Sequence, residues 1–180
     1  MTITETPIPD LLIIQPVVFE DDRGYFFESY NAKKVGNAQF NWVQDNESLS
    51  KKGVLRGLHY QIGEYCQAKL VRVIQGEVFD VAVDMRPNSP TYRHWYGETL
   101  SSQNKKQMLI PRGFAHGFLV ISEEAIFAYK CDNYYHAESD AGIHFCDPTL
   151  DIRWPMSTKE IVVSTKDAKL PLFGEHHPIW

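Results

Sequence analysis

The stretch KLVRVIQGEVFDVAVDM, residues 69–85, carries the clearest fold signal in the sequence. From residue 79 to residue 85 apolar and more polar positions alternate. The more polar set contains Asp80 and Asp84, so its face of the strand is expected to be the one nearer to solvent. Alternation with a period of two is typical of β-strands, because successive side chains point to opposite faces of a sheet. The stretch therefore predicts two strands joined by a hairpin turn at residues 75–77.

Similar strand signals extend from residue 11 to about residue 154, with another alternation over residues 126–131. Gly, Pro, Asn and Asp separate these runs and predict turns at residues 22–24, 51–53, 87–90 and 111–113. Short strands between such turns predict an all-β sandwich or barrel rather than alternating β-α units. Helical signals are few. One short helix is predicted over Ser29–Val35, and the looser segment after Ser157 can hold another.

Length and composition narrow the class of protein. The 180 residues predict a single domain, residues 1–180, which can bury a core without disulfides or a structural metal. The formal net charge of −5 argues against nucleic acid as the main partner, although an acidic protein can still hold one phosphate group in a local basic pocket. No apolar run approaches the roughly 20 residues that a membrane helix needs, so no membrane partner is predicted.

The cysteines and the N-terminal residues indicate the cellular compartment. Cys66, Cys131 and Cys146 are odd in number, widely spaced and without a CxxC pair. Met1–Glu5 contains no basic segment followed by an apolar stretch, so no signal peptide is expected. Both features predict a reducing, cytoplasmic location.

The segment LRGLHYQ, residues 55–61, contains the first candidate for chemistry. On a strand, His59 and Gln61 share one face, which can line the interior of a barrel. A histidine there can act as a base near neutral pH, because its unperturbed pKa is about 6.5. A structural histidine satisfied within the core is an equally open interpretation.

The segment IPRGFAHG, residues 110–117, has the spacing PxGxxHG and resembles the second motif of the cupin superfamily of small jelly-roll barrels. In metal-binding cupins this histidine, here His116, is joined by an HxH…E set from the first motif. The chain departs from that pattern at residues 59–61, which read HYQ. An enclosed catalytic metal usually has three protein ligands, so no metal is predicted.

A longer series of short blocks gives a sharper resemblance. The blocks occur in order at residues 22–28, 44–46, 54–59, 68–72, 110–118, 129–130, 134–135, 147–148, 152–155 and 164–167. The series resembles the dTDP-4-dehydrorhamnose 3,5-epimerase family of metal-free cupin enzymes over nearly the whole chain. The resemblance implies an all-β, cupin-type jelly roll with a few short helices, mainly C-terminal. It also implies a homodimer that needs no cofactor.

The family acts on dTDP-4-dehydro-6-deoxy-D-glucose, in which the C3 and C5 protons flank a C4 carbonyl. Inversion through an enolate requires a base on one face of the sugar, an acid on the other and a donor at the developing oxyanion. The resemblance implies His59 as the base, Asp167 as the residue that orients it, and Tyr129 as the acid. Lys69 is implied near the C4 oxygen. A cation beside Tyr129 is expected to lower the cost of a transient phenolate.

The resemblance also implies a set of residues that bind the substrate, namely Arg23, Glu28, Gln44, Asp45, Asn46, Arg56, His116, Tyr135, Asp140 and Lys166. Arginine and lysine within this set suit a diphosphate. Tyr135 is implied to stack on thymine, and Asp140 stands where the family often has Glu. Arg23 and Glu28 are implied to reach the neighbouring subunit's site, so the N-terminal arm is expected at the dimer interface.

Several alternatives use the same motifs. An epimerase that inverts only C3 or only C5 would need the same base and acid. A 3,4-ketoisomerase fits less well, because it passes protons along one face of the sugar. A catalytically silent sugar-nucleotide-binding cupin is disfavoured because both His59 and Tyr129 are present. A metal-dependent cupin oxygenase is the last alternative, and it would need the ligand set that residues 59–61 lack.

Overall fold

Thirteen β-strands and four short helical segments form the regular structure of residues 1–35 and 40–180, which the computed structural model describes. The strands are β1 (Thr2–Glu5), β2 (Leu12–Gln15), β3 (Phe19–Asp21), β4 (Gly24–Phe26), β5 (Gln44–Lys51), β6 (Leu55–Gln61), β7 (Lys69–Gln75), β8 (Glu77–Asp84), β9 (Trp95–Ser101), β10 (Gln107–Ile110), β11 (Phe114–Val120), β12 (Glu124–Cys131) and β13 (Asp140–Gly142). The helical segments are α1 (Ala32–Val35) and the 3₁₀ turns Gly63–Tyr65, Ala137–Ser139 and Asp167–Lys169.

Eight of the strands, β5 to β12, form a jelly roll. One sheet has the order β1-β2-β10-β7-β12-β5 and the other has the order β13-β6-β11-β8-β9, with antiparallel pairing throughout. Successive strands mostly alternate between the two sheets, so each sheet contains strands that are distant in the sequence. The predicted all-β jelly roll is confirmed.

The turn at residues 75–77 lies where it was predicted, but it does not make a hairpin. β7 belongs to the first sheet and β8 to the second, so the chain turns a corner between the sheets at Gly76. Gly76 has φ of +77°, and a Cβ atom there would lie 2.1 Å from the carbonyl oxygen of Glu124. The turn signal was correct and the inferred pairing was wrong, because sequential strands in a jelly roll seldom pair with each other.

The predicted wetter face of β8 is also wrong. Asp80 and Asp84 are fully buried, and their face of the strand looks toward the opposite sheet. The other face carries Val81 and Val83, which pack against the C-terminal part of the chain, including Leu150. Both faces of β8 are therefore buried, and its carboxylates need partners inside the protein.

The main core lies between the two sheets. Phe118 of β11 and Phe127 of β12 stack across it with ring centroids 4.0 Å apart, and Val73 and Val78 pack in the same cluster. Beyond these rings several inward positions carry polar side chains instead of apolar ones. The apolar core thus forms the floor of a polar cavity.

The helical predictions need two corrections. The helix predicted over Ser29–Val35 begins only at Ala32, since the side chain of Asn31 accepts the Lys33 N–H at 3.1 Å in the manner of an N-cap. The helical segments are few and short, as expected, but they are spread along the chain rather than mainly C-terminal. Prolines at 148, 155, 171 and 178 oppose helix formation in the last segment. None of the helices in the described ranges is long and apolar enough to cross a membrane.

Candidate active site

A cavity of about 590 Å³ lies above the phenyl rings, with walls from both sheets and from the segment around residue 164. It brings together eight of the residues singled out from the sequence, namely Asn46, Arg56, His59, Lys69, His116, Tyr129, Lys166 and Asp167. A smaller space of about 120 Å³ adjoins it and shares His59, Lys69 and Tyr129. Tyr135 and Asp140 line this second space.

The side chain of His59, which is 31% exposed, pairs with the buried Asp167 on one wall. The imidazole Nε2 lies 2.7 Å from Asp167 Oδ1, and the Gly57 N–H approaches Asp167 Oδ2 at 3.4 Å. Burial by itself would raise the pKa of the Asp167 carboxyl, but the hydrogen bonds from His59, Gly57 and Ser164 outweigh it and hold the pKa below its ordinary value. Asp167 therefore stays ionised and orients the imidazole.

Backbone hydrogen bonds at residues 53–55 explain how Asp167, 108 positions further along the chain, reaches His59. Val162 forms a parallel bridge to Val54, with hydrogen bonds from Val162 N to Gly53 O at 2.8 Å and from Leu55 N to Val162 O at 2.9 Å. This bridge fixes the C-terminal segment beside the start of β6. Asp167 follows five residues later, at the beginning of its 3₁₀ turn.

Tyr129 and Lys69 lie on the opposite wall, on neighbouring strands of the other sheet. The Lys69 Nζ lies 6.0 Å from the centroid of the Tyr129 ring. Burial raises the pKa of Tyr129 to about 12, although the charge of Arg56 acts in the other direction. Burial also lowers the pKa of the Lys69 ammonium, against the carboxylates of Asp140 and Asp80. The expected easing of the phenolate by a nearby cation is thus outweighed by desolvation.

His116 occupies the cavity wall in a second histidine–carboxylate pair. Its Nε2 lies 2.9 Å from Asp80 Oδ2, and both side chains are buried. Burial lowers the pKa of His116, more than Asp80 raises it, so the ring is neutral near pH 7. Sequence reasoning missed Asp80 by assigning it to a solvent face. No local signal marks Asp80, because its inward position next to Ala82, the register partner of His116, is set by the pairing of β8 with β11.

Cationic and polar groups surround the mouth of the cavity. Arg56 donates from Nε to Ser50 Oγ at 2.9 Å. Lys166 donates from Nζ to Asp140 Oδ2, which also accepts the Tyr135 hydroxyl at 3.0 Å. Partial burial opposes the charge of Lys166, yet the adjacent Asp140 carboxylate raises its pKa overall. Lys166 is therefore a stable positive charge at the mouth.

The block at residues 44–46 divides between two faces of β5. Asn46 points into the cavity, and Gln44 donates to its Oδ1 at 3.0 Å. Asp45 lies on the outer face and pairs with Lys130 at 3.0 Å. Asp45 thus lies on the opposite face from Asn46, because alternate residues of a strand face opposite sides, and its implied contact with the substrate stays a prediction.

Arg23 and Glu28 do not reach the cavity of their own chain. Arg23 follows β3 at the tip of the β3–β4 hairpin, where its exposed guanidinium pairs with Asp21. Glu28 accepts hydrogen bonds from Asn31 and Lys34 near α1. Their implied contact with a neighbouring subunit stays a prediction.

The histidines of the cavity are paired with carboxylates rather than grouped around a common point. Within residues 1–35 and 40–180, no group of three His, Cys, Asp or Glu side chains is arranged to hold a metal ion. The two histidines of the cavity each contact a carboxylate through Nε2. Independence of the reaction from metals remains a prediction.

Comparison with known proteins identifies the family. The model of the family described as dTDP-4-dehydrorhamnose 3,5-epimerase matches residues 5–175. The enzyme of that name from Escherichia coli (strain K12) is 53% identical over 173 residues, which cover 94% of this chain and 93% of that protein. A crystal structure of dTDP-6-deoxy-D-glucose-3,5-epimerase from Legionella pneumophila Philadelphia 1, in complex with dTDP-4-keto-L-rhamnose, is 51% identical. It has a TM-score of 0.92 and covers 97% of this chain and 93% of that chain.

A more distant structure marks the range of related activities. A 3'-monoepimerase from Streptomyces bikiniensis, in complex with dTDP-quinovose, is 28% identical, with a TM-score of 0.87 over 93% of this chain and 85% of that chain. The match to the family model extends over residues 5–175, and this span contains every residue of the cavity described above. This chain is a member of the dTDP-4-dehydrorhamnose 3,5-epimerase family of isomerases.

Proposed function

We propose that the chain inverts C3 and C5 of dTDP-4-dehydro-6-deoxy-D-glucose to give dTDP-4-dehydro-L-rhamnose, by proton transfer through enolates. The observation that carries the proposal is the arrangement of the cavity. His59 of one sheet, paired with Asp167 of the C-terminal segment, faces a tyrosine and a lysine of the other sheet. His59, Lys69 and Tyr129 line both parts of the cavity. Base and acid on opposite walls are what inversion requires.

His59 is the base. Because its Nε2 donates to the ionised Asp167, the other ring nitrogen, Nδ1, carries the lone pair that takes the proton from the carbon next to the carbonyl. Asp167 then stabilises the imidazolium that forms, as the carboxylate does in hydrolase triads. The C–H electron pair moves to the C4 oxygen as the enolate.

Tyr129 returns a proton to the opposite face of the same carbon and is left as a phenolate. Before the second inversion, His59 releases its proton to solvent and the Tyr129 phenolate takes one up from solvent. The raised pKa of Tyr129, about 12, keeps its hydroxyl protonated until an enolate is present. Lys69 binds the C4 oxygen. Its lowered pKa makes the ammonium a stronger acid and therefore a stronger hydrogen-bond donor to the developing oxyanion.

The mouth of the cavity binds the nucleotide. Arg56 and Lys166 supply positive charge for the diphosphate, and His116 contacts the sugar from the wall. The Tyr135 ring is 57% exposed and is available for stacking on thymine. A nucleoside diphosphate thus spans from the mouth to the reacting carbons.

Proton NMR of the 4-keto sugar nucleotide in D₂O tests the reaction. We expect deuterium at both C3 and C5 with net formation of the L-rhamno product. Deuterium at one carbon alone would support the C3-only or C5-only alternative. Binding of the nucleotide without any exchange would support the catalytically silent sugar-nucleotide-binding alternative instead.

We also propose a homodimer in which the β3–β4 arm completes the partner's site. The arm carries Phe19, Tyr25 and Phe26 at 63%, 57% and 68% exposure, which is unusual for aromatic side chains that have no further partner. Its tip carries Arg23. A second copy of the chain would cover this apolar surface and receive the guanidinium near the diphosphate.

A mixed-subunit assay tests that arrangement. Subunits with Arg23→Ala are refolded together with subunits carrying His59→Ala, and turnover is measured. If the arginine crosses the interface, each hybrid dimer has one intact site and activity rises above that of either variant alone. No recovery in dimers shown to be hybrid would contradict the proposal.

A further inference from the structure

Gln61 is a buried amide to which the mechanism assigns no role. It is the last residue of β6, two positions after His59, and it is 4% exposed. Its Nε2 donates to Tyr65 O at 2.8 Å and to Tyr134 O at 3.1 Å, and its Oε1 accepts the His136 N–H at 2.6 Å. Every hydrogen-bonding group of the amide is therefore used on backbone atoms.

Two of these contacts lie on either side of Tyr135. Gln61 binds the carbonyl before it and the N–H after it, while Gln44, from the opposite sheet, accepts the N–H of Tyr135 itself at 3.0 Å. The His136 ring also stacks on Tyr65 at 3.9 Å with an interplanar angle of 7°. The backbone of Tyr135 is thus held from two sheets, whereas its ring faces solvent.

We propose that Gln61 is a positioning residue that fixes Tyr135 in the conformation that binds the nucleobase. The inference rests on the proposed function, in which Tyr135 stacks on thymine. A loop residue held in place before binding does not lose that conformational freedom when the ligand arrives, so pre-ordering raises affinity. The catalytic pair is fixed independently, since His59 is held by Asp167.

Gln61→Leu removes all three hydrogen bonds at nearly constant volume. We expect the Kd for dTDP, measured by calorimetry, to rise about tenfold, as it would if Tyr135 kept its binding conformation about one tenth of the time. KM rises by a similar factor and kcat changes little. Gln15→Leu is the matched control, because Gln15 also donates to a backbone carbonyl, Asn104 O at 2.8 Å, on a strand away from the cavity. If the Gln61→Leu variant does not fold, Gln61→Met replaces it, because methionine also lacks the amide and has a similar volume.

A double-mutant cycle with Tyr135→Ala decides whether Gln61 acts through the tyrosine. We expect Tyr135→Ala to weaken dTDP binding and to abolish any further effect of Gln61→Leu. Additive losses, or a fall in kcat with unchanged Kd, would overturn the positioning role while leaving the proposed function intact. Absence of dTDP binding by the parent protein would instead contradict the proposed function.

Discussion

The two walls of the cavity, called the base wall (His59 and Asp167) and the acid wall (Tyr129 and Lys69) after their proposed roles, differ in the hydrogen bonding of their polar groups. On the base wall, His59 is paired with Asp167, which in turn is held by a backbone N–H. On the acid wall, the Lys69 Nζ lies 6.0 Å from the centroid of the Tyr129 ring, and neither side chain forms a hydrogen bond with another group of residues 1–35 and 40–180. One wall is arranged in advance, whereas the other leaves its donors for whatever enters the cavity.

Electrostatics follow the same division. The hydrogen bonds on the base wall lower the pKa of Asp167 despite its burial, so a charge is retained there. On the acid wall burial dominates, raising the pKa of Tyr129 to about 12 and lowering that of Lys69. The hydrogen bonds to Asp167 thus outweigh its burial, whereas Tyr129 and Lys69 lack such bonds and an enolate between the walls would favour the charged form of Lys69.

The largest expected effect comes from removing the fixed base. His59→Ala should reduce both solvent exchange and inversion by about 10⁴-fold, the upper range for general base catalysis. Asp167→Asn should reduce both as well, because the amide no longer stabilises the imidazolium. Deuterium incorporation and product formation, followed by NMR, measure the two processes. Parental exchange in His59→Ala would assign the base elsewhere on the walls.

A smaller and qualitatively different effect is expected from the acid wall. Tyr129→Phe leaves His59 and Lys69 in place, so the enolate still forms and His59 can return a proton to the face from which it came. Inversion should fall about 10²–10³-fold while deuterium still enters at C3. If this variant inverts at the parental rate, Tyr129 is not the acid, and Tyr134 and Tyr135 become the next candidates.

The smallest effect concerns the stability of the base wall. Because the pKa of Asp167 lies below its ordinary value of 3.8 in the folded protein, the unfolded chain binds more protons there as the medium is acidified. The contribution of Asp167 is complete above about pH 5 and is lost as the pH falls through the folded-state pKa. The parent should therefore lose up to about 1 kcal/mol relative to Asp167→Asn between pH 6 and pH 3, which is the most that a carboxyl with an ordinary pKa of 3.8 in the unfolded chain can lose over that range.

Urea unfolding of both proteins across this range gives the difference directly, since the other titrating groups cancel to first order. The free-energy gap between parent and variant should narrow with acidification. A gap that stays constant would mean that the carboxylate is not stabilised by its partners on the base wall.

Local patterns predicted much of the secondary structure and some of the site. Alternation identified the strands on both sides of Gly76, and the inward face shared by His59 and Gln61 is confirmed by the cavity. The same period of two would have separated Asp45 from Asn46, but the whole block was assigned to one role. That grouping came from the resemblance and not from the strand pattern.

Other features required the tertiary structure. Asp80 has the pattern of a surface residue until β11 brings His116 against it. The hairpin at residues 75–77 was a natural inference from two adjacent strands, yet β7 pairs with β10 and β12, which lie more than 30 residues along the chain. Nothing near these residues in the sequence indicates such partners.

The sequence by itself determined the strand positions, the turns and, through the order of its motifs, the family. Those properties depend on backbone conformation and on side chains close together in the chain. Only the tertiary structure decided which sheet each strand joins, which carboxylates are buried, and that Asp167 reaches His59. These depend on long-range pairing, in which burial of apolar surface across the whole chain outweighs local preference, so no short stretch of sequence contains them.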